Sequence, residues 1–173
     1  MLIGAGAGYS QLDKLRATFA KDIDNFCNID PVPAQLLDPA KLGPGVGDLI
    51  KIMVERYKAK TNATDVPPHC SMGFNQTWIL LNNVLPVAKE KYGGFDPEAV
   101  RRAALDVDIA PGGTIQGYGV KFFPPGTQMS GQNGRSTPVV MQNAGEHISV
   151  VFPTLIRTQE PVLPLPKSSV YAM

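Results

Sequence analysis

Ile3-Gly4-Ala5-Gly6-Ala7-Gly8-Tyr9-Ser10 reads as the end of a strand, a glycine-rich turn and the cap of a helix. The three glycines admit positive φ and let a partner approach the backbone closely. Ser10 is a good N-cap for a helix over 11–19, in which Leu12, Leu15, Phe19 and then Ile23 recur at helical spacing. Residues 25–29 form a short run closed by Asp30-Pro31 and read as a second strand. Strand, glycine turn, helix and strand make a βαβ unit, expected to be parallel. The lead-in strand is short enough to call for strands outside the chain. The chain therefore reads as the later portion of a larger α/β protein.

Composition narrows the classes. With 173 residues, 43% hydrophobic and 18% charged, the chain is long enough for a real core and ordinary for a globular protein. Its formal net charge is +1 with both signs interspersed, so it offers no basic field for nucleic acid or an anionic membrane. No apolar run approaches the roughly 18 residues of a membrane span. Met1 leads straight into the glycine turn, and no signal peptide is expected in this chain. Cys27 and Cys70 are the two cysteines, which make neither a disulfide framework nor a paired metal motif. A single bridge in an oxidising compartment is one reading, and two small buried side chains is the favoured one.

Further along, Asp30 to Gly47 holds Pro31, Pro33, Pro39 and Pro44 and reads as a long ordered connection between lobes. Asp48 to Lys60 is expected as a helix burying Leu49, Ile50, Met53, Val54 and Tyr57. The longest helix is expected from Ser71 or Met72 to Lys91. Its middle, Trp78-Ile79-Leu80-Leu81, is apolar nearly all round and predicts burial. Pro86 should kink or split it, and Gly93-Gly94 should stop it. Asp96-Pro97-Glu98 opens a further helix to about Leu105, with Asp96 as cap and Pro97 in the first position. From Gly112 the texture is β-like, with strands expected over 120–123, 138–142 and 148–152 and a hairpin turn at Asn143-Ala144-Gly145-Glu146. The tail from Pro161 reads as extended.

Few side chains offer chemistry. Gly4, Gly6 and Gly8 suggest a dinucleotide fingerprint, but the match is partial: Tyr9 stands where its last glycine belongs, and Asp30, which could serve as its acid, lies 26 residues after Gly4. A tight βα turn and a backbone amide cradle for a carboxylate both weigh above it. His69 in Pro67-Pro68-His69-Cys70-Ser71 precedes the longest helix. A zinc site built on paired histidines is not expected, because His147 is the only other histidine. Cys70 and His69 are adjacent and ill placed to face each other as a nucleophile pair, and a loop histidine bonded to backbone is the plain alternative. Asp22 with Asp24 and Asp106 with Asp108 read as solvated loop charges. Asn62-Ala63-Thr64 and Asn75-Gln76-Thr77 match the glycosylation sequon, a pattern common by chance.

The order of these pieces carries a resemblance. The glycine turn and its helix, the strand ending at Asp30-Pro31, and the helix over 48–60 are followed by Pro68-His69 opening a long helix. Then come Asp96-Pro97-Glu98-Ala99, Gly113-Thr114-Ile115-Gln116-Gly117-Tyr118-Gly119-Val120-Lys121-Phe122 and Pro138-Val139-Val140-Met141-Gln142. Together these resemble the C-terminal half of periplasmic substrate-binding proteins of ABC transporters, in the type I fold of the leucine/isoleucine/valine-binding branch. The resemblance implies an α/β, partial type I periplasmic-binding-protein fold, with portions of two doubly wound lobes and the N-terminal part missing. It implies that residues 1–31 belong to lobe 2 as a βαβ piece. Residues 32–137 would belong to lobe 1, and 138–173 would cross back to lobe 2 and form the tail.

The implied function is that of a solute-binding component of an ABC importer without catalysis. It would take a small organic acid or amino-acid-like ligand in the interlobe cleft, with no cofactor or metal. The implied partners are the solute, ABC permease subunits and further copies of the chain at surfaces that truncation exposes, with no nucleic acid; the parent family is periplasmic. The family's acidic ligand residue falls at Gly6 or Ala7 here, a departure that disfavours an α-amino acid and suits a carboxylate on the amides of Gly6, Ala7, Gly8 and Tyr9. His69 falls on an aromatic position that lines the family's pocket. The alternatives are a fragment of a nucleotide-dependent oxidoreductase using the Gly4–Gly8 turn and a sensory ligand-binding domain of the same fold.

Overall fold

A computed structural model describes residues 17–144, 147–164 and 167. The glycine turn and its lead-in strand lie outside the described residues, and so does the expected parallel pairing. Residues 17–19 are helical and end in a 3-10 turn, Ala20–Ile23, which buries Ile23; Leu12 and Leu15 lie outside the described residues, and Phe19, expected on the same apolar face, is 51% exposed. Strand β1, Cys27–Ile29, follows and pairs antiparallel with β2, Val140–Ala144, which pairs antiparallel with β3, His147–Phe152. The order of this sheet is β1-β2-β3. The expected hairpin is thus present, with β2 running two residues further than expected.

Strand alternation sorts the side chains. Asn28 opposes Met141, Met141 opposes Val150, and Asn143 opposes Ile148, so these residues share one face. Met141, Ile148 and Val150 belong to the larger core cluster, which also takes Val32, Ala34, Leu37, Val46, Ile50, Met53, Val66, Ile115, Val139 and Ile156. Cys27 opposes Gln142 on the other face, where the Gln142 amide exchanges hydrogen bonds with the backbone of Val162. The tail is anchored there.

Helix α1, Val46–Thr61, begins after Gly45 at φ 77° and ends at Asn62 with φ 56°. It buries Val46, Ile50 and Met53, and Leu49, Val54 and Tyr57 pack at its margins, which is the expected stripe. Helix α2, Pro68–Ile79, opens three residues before the expected start, because extended Pro67 places Pro68 in the first helical turn. It passes into a π-helical turn, Leu80–Val84, and then α3, Leu85–Tyr92. Pro86 accounts for the wide turn. It has no N–H to donate and its ring would strike the carbonyl of Asn82 in a regular helix. The Asn82 side chain donates to the carbonyl of Trp78 at 3.0 Å.

The expected burial of the apolar middle is corrected: Trp78, Leu80 and Leu81 are 42%, 42% and 55% exposed. The helix packs inward through Val84 and Ala88, and no described element covers its outer side. Helix α4, Pro97–Asp106, starts as read, with Asp96 accepting from Glu98 N and Ala99 N, both at 3.1 Å. Its Ala103 joins Val84, Ala88, Val107 and Val120 in a second, smaller core.

Two further expectations are corrected. The region 120–123 forms no strand among the described residues, only isolated bridges Ile109↔Val120 and Phe122↔Asn133. Lys121 N bonds to the Asn133 side chain at 2.9 Å, so side-chain pinning replaces a ladder. Asp106 and Asp108 are not merely solvated. Asp106 accepts from Lys91 at 2.8 Å and from Tyr92, and Asp108 pairs with Arg135 and, at 3.6 Å, with Lys121. These donors hold both carboxyls below the usual carboxylate range, Lys91 foremost for Asp106 and Arg135 foremost for Asp108.

Candidate functional site

Of the expected site residues, Gly6, Ala7, Gly8 and Tyr9 lie outside the described residues, and His69 lies within them. His69 is exposed on the first turn of α2, next to exposed Cys70. Cys70 Sγ sits 3.8 Å from the hydroxyl of Tyr57, a contact that pushes the phenol up from its ordinary value. Cys27 is buried in β1, and burial raises its thiol pKa. Both cysteines are free, so no bridge joins them and only Cys27 meets the expectation of a buried side chain.

The long connection after β1 is hydrogen-bonded on either side of His69, at Val66 and at Ser71. Its prolines keep residues 30–37 extended apart from one 3-10 turn, Ala34–Leu36, and Val32 and Ala34 are fully buried. An extended buried segment has no ladder to satisfy its backbone, so side chains from elsewhere must do so. Gln116 Nε2 donates to Val32 O at 3.1 Å. Ala34 N donates to Ser71 Oγ at 3.2 Å. Gln35 Nε2 donates to Val66 O at 3.1 Å. Residues 114–118 form the compact turn that offers Gln116, closed by Thr114 Oγ1 donating to Tyr118 O at 2.7 Å. Gly117 at φ 78° stands against Ile156 there, where a Cβ would come within 2.6 Å of Cδ1.

The polar residues Ser71, Gln35 and Gln116 were not singled out as site residues from the sequence. Their signal is faint: a serine on the helix face turned inward, and glutamines in short proline- or glycine-bounded turns. Asn28 and Asn143 share the core-facing side of the sheet and are fully buried. Both amide atoms of Asn28 and Oδ1 of Asn143 lack hydrogen-bond partners among the described residues. A separate groove of about 300 Å³ lies between the start of α1 and the α2–π junction, lined by Leu49, Asn75, Trp78, Ile79, Asn83 and Ile109 among others.

No protein-family model matches the chain. Over 163 residues, 94% of its length, the chain is 30% identical to Leu/Ile/Val-binding protein homolog 7 of Brucella abortus. The chain is similar along nearly its whole length to part of these Leu/Ile/Val-binding protein homologues. It spans 37% of that relative's length, and 34% of the length of homolog 8, to which it is 28% identical over 152 residues. Its fold is similar to that of an extracellular ligand-binding receptor from Rhodopseudomonas palustris HaA2, with TM-score 0.58, 20% identity and coverage of 87% of this chain and 41% of the other. It is also similar to leucine binding protein LivK from Thermotoga maritima MSB8, with TM-score 0.54, 17% identity and coverage of 86% and 36%. The two cores and the antiparallel sheet are therefore a portion of the type I periplasmic-binding-protein fold. These relatives are named as binding proteins, and among the described residues no helix is long and apolar enough to cross a membrane.

Proposed function

We propose that this chain is part of the solute-binding component of an ABC importer, working in the periplasm and handing a small organic acid or amino-acid-like ligand to permease subunits. The ligand lies in a cleft between two lobes. Their division departs from the expected 1–31 with 138–173 against 32–137, because Val139, Met141, Ile148, Val150 and Ile156 share one core with Val32, Ala34, Ile50 and Ile115. His69 lines that cleft, and the amides of Gly6, Ala7, Gly8 and Tyr9 receive the ligand's carboxylate. Closure of the lobes holds the ligand.

Two observations support this reading. The match to the Leu/Ile/Val-binding homologues runs along 94% of the chain, and the side chain at the resemblance's pocket position, His69, is solvent-exposed on the first turn of α2. Calorimetry on the natural polypeptide that carries these residues tests it, with panels of branched-chain amino acids, aliphatic acids and aromatic acids. Saturable heat with one panel is expected, and the absence of heat with all three removes the reading.

A further inference from the structure

We infer that Ser71 and Gln35 are positioning residues that fix His69 to the connection between the lobes, so that this connection and the cleft-lining histidine move as one body. The inference rests on the proposed role of His69 and adds how its place is set. His69 sits between two pinned points. On one side the carbonyl of Val66 accepts from Gln35 Nε2 at 3.1 Å, and on the other the hydroxyl of Ser71 accepts from Ala34 N at 3.2 Å. The two gripping residues, 34 and 35, are consecutive, and the gripped ones bracket Pro67-Pro68-His69-Cys70. Ser71 is fully buried and Ala34 is fully buried, so neither partner exchanges its bond for water without opening the contact.

The stretch between the pins is stiff. Pro67 and Pro68 each fix φ, and Cys70 N and Ser71 N both bond to Pro67 O, at 3.0 and 3.2 Å. A displacement of residues 34–35 therefore reaches His69 with little slack. The same connection is held at Val32 O by Gln116, which ties it to the turn over 114–118. The segment leaving β1 is thus a lever with two fixed bonds at its far end, and the histidine stands between them.

Ser71→Ala removes the acceptor from one pin, and Gln35→Met removes the donor from the other at similar volume. Amide hydrogen exchange on the natural polypeptide, without ligand, reads the coupling. Exchange at Ala34 and at Cys70 and Ser71 is expected to speed up together by about tenfold or more in Ser71→Ala, the loss of one buried hydrogen bond. Amides of β2 and β3 should not change, and Ser71→Thr, which keeps the hydroxyl, should restore protection. L-leucine and benzoate titrations then read the site. Ser71→Ala should weaken whichever probe binds and should add nothing in a His69→Ala background. Unchanged exchange at Cys70 and Ser71, or additive losses in the double variant, overturns the inference. If the unaltered protein binds neither probe, the proposed ligand class fails, and the exchange result still decides the coupling.

Discussion

Gly119→Ala is the substitution whose cost is most fully written in the geometry. A Cβ at Gly119 would lie 2.7 Å from the carbonyl carbon of Ala110 and 2.8 Å from the nitrogen of Pro111, and closer still to the oxygen of Ile109. All three are backbone atoms, so no side chain can turn aside. The two strands of chain must separate, and the reciprocal bonds Ile109 N to Val120 O and Val120 N to Ile109 O, both 2.9 Å, are the first to break. At about 1 kcal/mol net each they account for about 2 kcal/mol. The forced shift of a packed segment adds about 1–3 kcal/mol, for a total of about 3–5 kcal/mol. Val120 is one wall of the smaller core, so the loss reaches Val84, Ala88, Ala103 and Val107. For a chain of this size each kcal/mol lowers Tm by about 2–4 °C, so a total of about 4 kcal/mol gives a drop of about 8–16 °C. Gly73→Ala is the control: its Cβ meets nothing within 4 Å on an exposed helix surface, and stability should rise by about 0.5–1 kcal/mol. Thermal unfolding followed by circular dichroism separates the two. A Gly119→Ala protein melting within 2 °C of the parent, a span of about 1 kcal/mol or less, would refute the close approach of 109–111 to 119.

Other outcomes follow from local contacts. Asp96→Ala removes the acceptor shared by Glu98 N and Ala99 N and should lower urea stability by about 0.5–2 kcal/mol, while Asp96→Asn should recover most of it. Asp106 and Asp108 have folded-state pKa values depressed by Lys91 and Arg135, so their contribution is present above the ordinary carboxylate range and fades as pH falls below about 4. Unfolding midpoints between about pH 2 and 6 should therefore slope less steeply with acid in Asp106→Asn and Asp108→Asn, and identical slopes would contradict the pairing. A thiol reagent should label Cys70 in the native protein and reach Cys27 only on unfolding; two equally fast thiols would mean that β1 is not covered as described.

Much of the helical half was legible because its signals are local. Asp96-Pro97-Glu98 caps a helix by side-chain geometry alone, and the stripe from Leu49 to Tyr57 needs only a period and one wet face. The hairpin of β2 and β3 was legible for the same reason, since two β-branched runs flank a turn. What failed needed knowledge of distant neighbours. The apolar middle around Trp78 and Leu81 suggested burial, but burial depends on what lies opposite, and no described element does. The glycines from 112 to 119 suggested strand punctuation, whereas Gly119 is required by the backbone of 109–111 pressing against it. The polar bonds that place His69 link residues 31 to 84 positions apart, and no spacing rule connects Ser71 with Ala34 or Gln116 with Val32. His69 itself emerged from the resemblance, since a single histidine before a helix has no signature of its own.

The most direct measurement of the central claim is a proton NMR titration of the histidine rings in the natural polypeptide, with L-leucine and with benzoate. This chain has two histidines, His69 beside the connection and His147 at the start of β3, so each reports its own end of the fold. A saturable shift of the His69 ring with one probe, while His147 holds still, is the predicted result. A bound probe that leaves His69 unmoved would contradict the account.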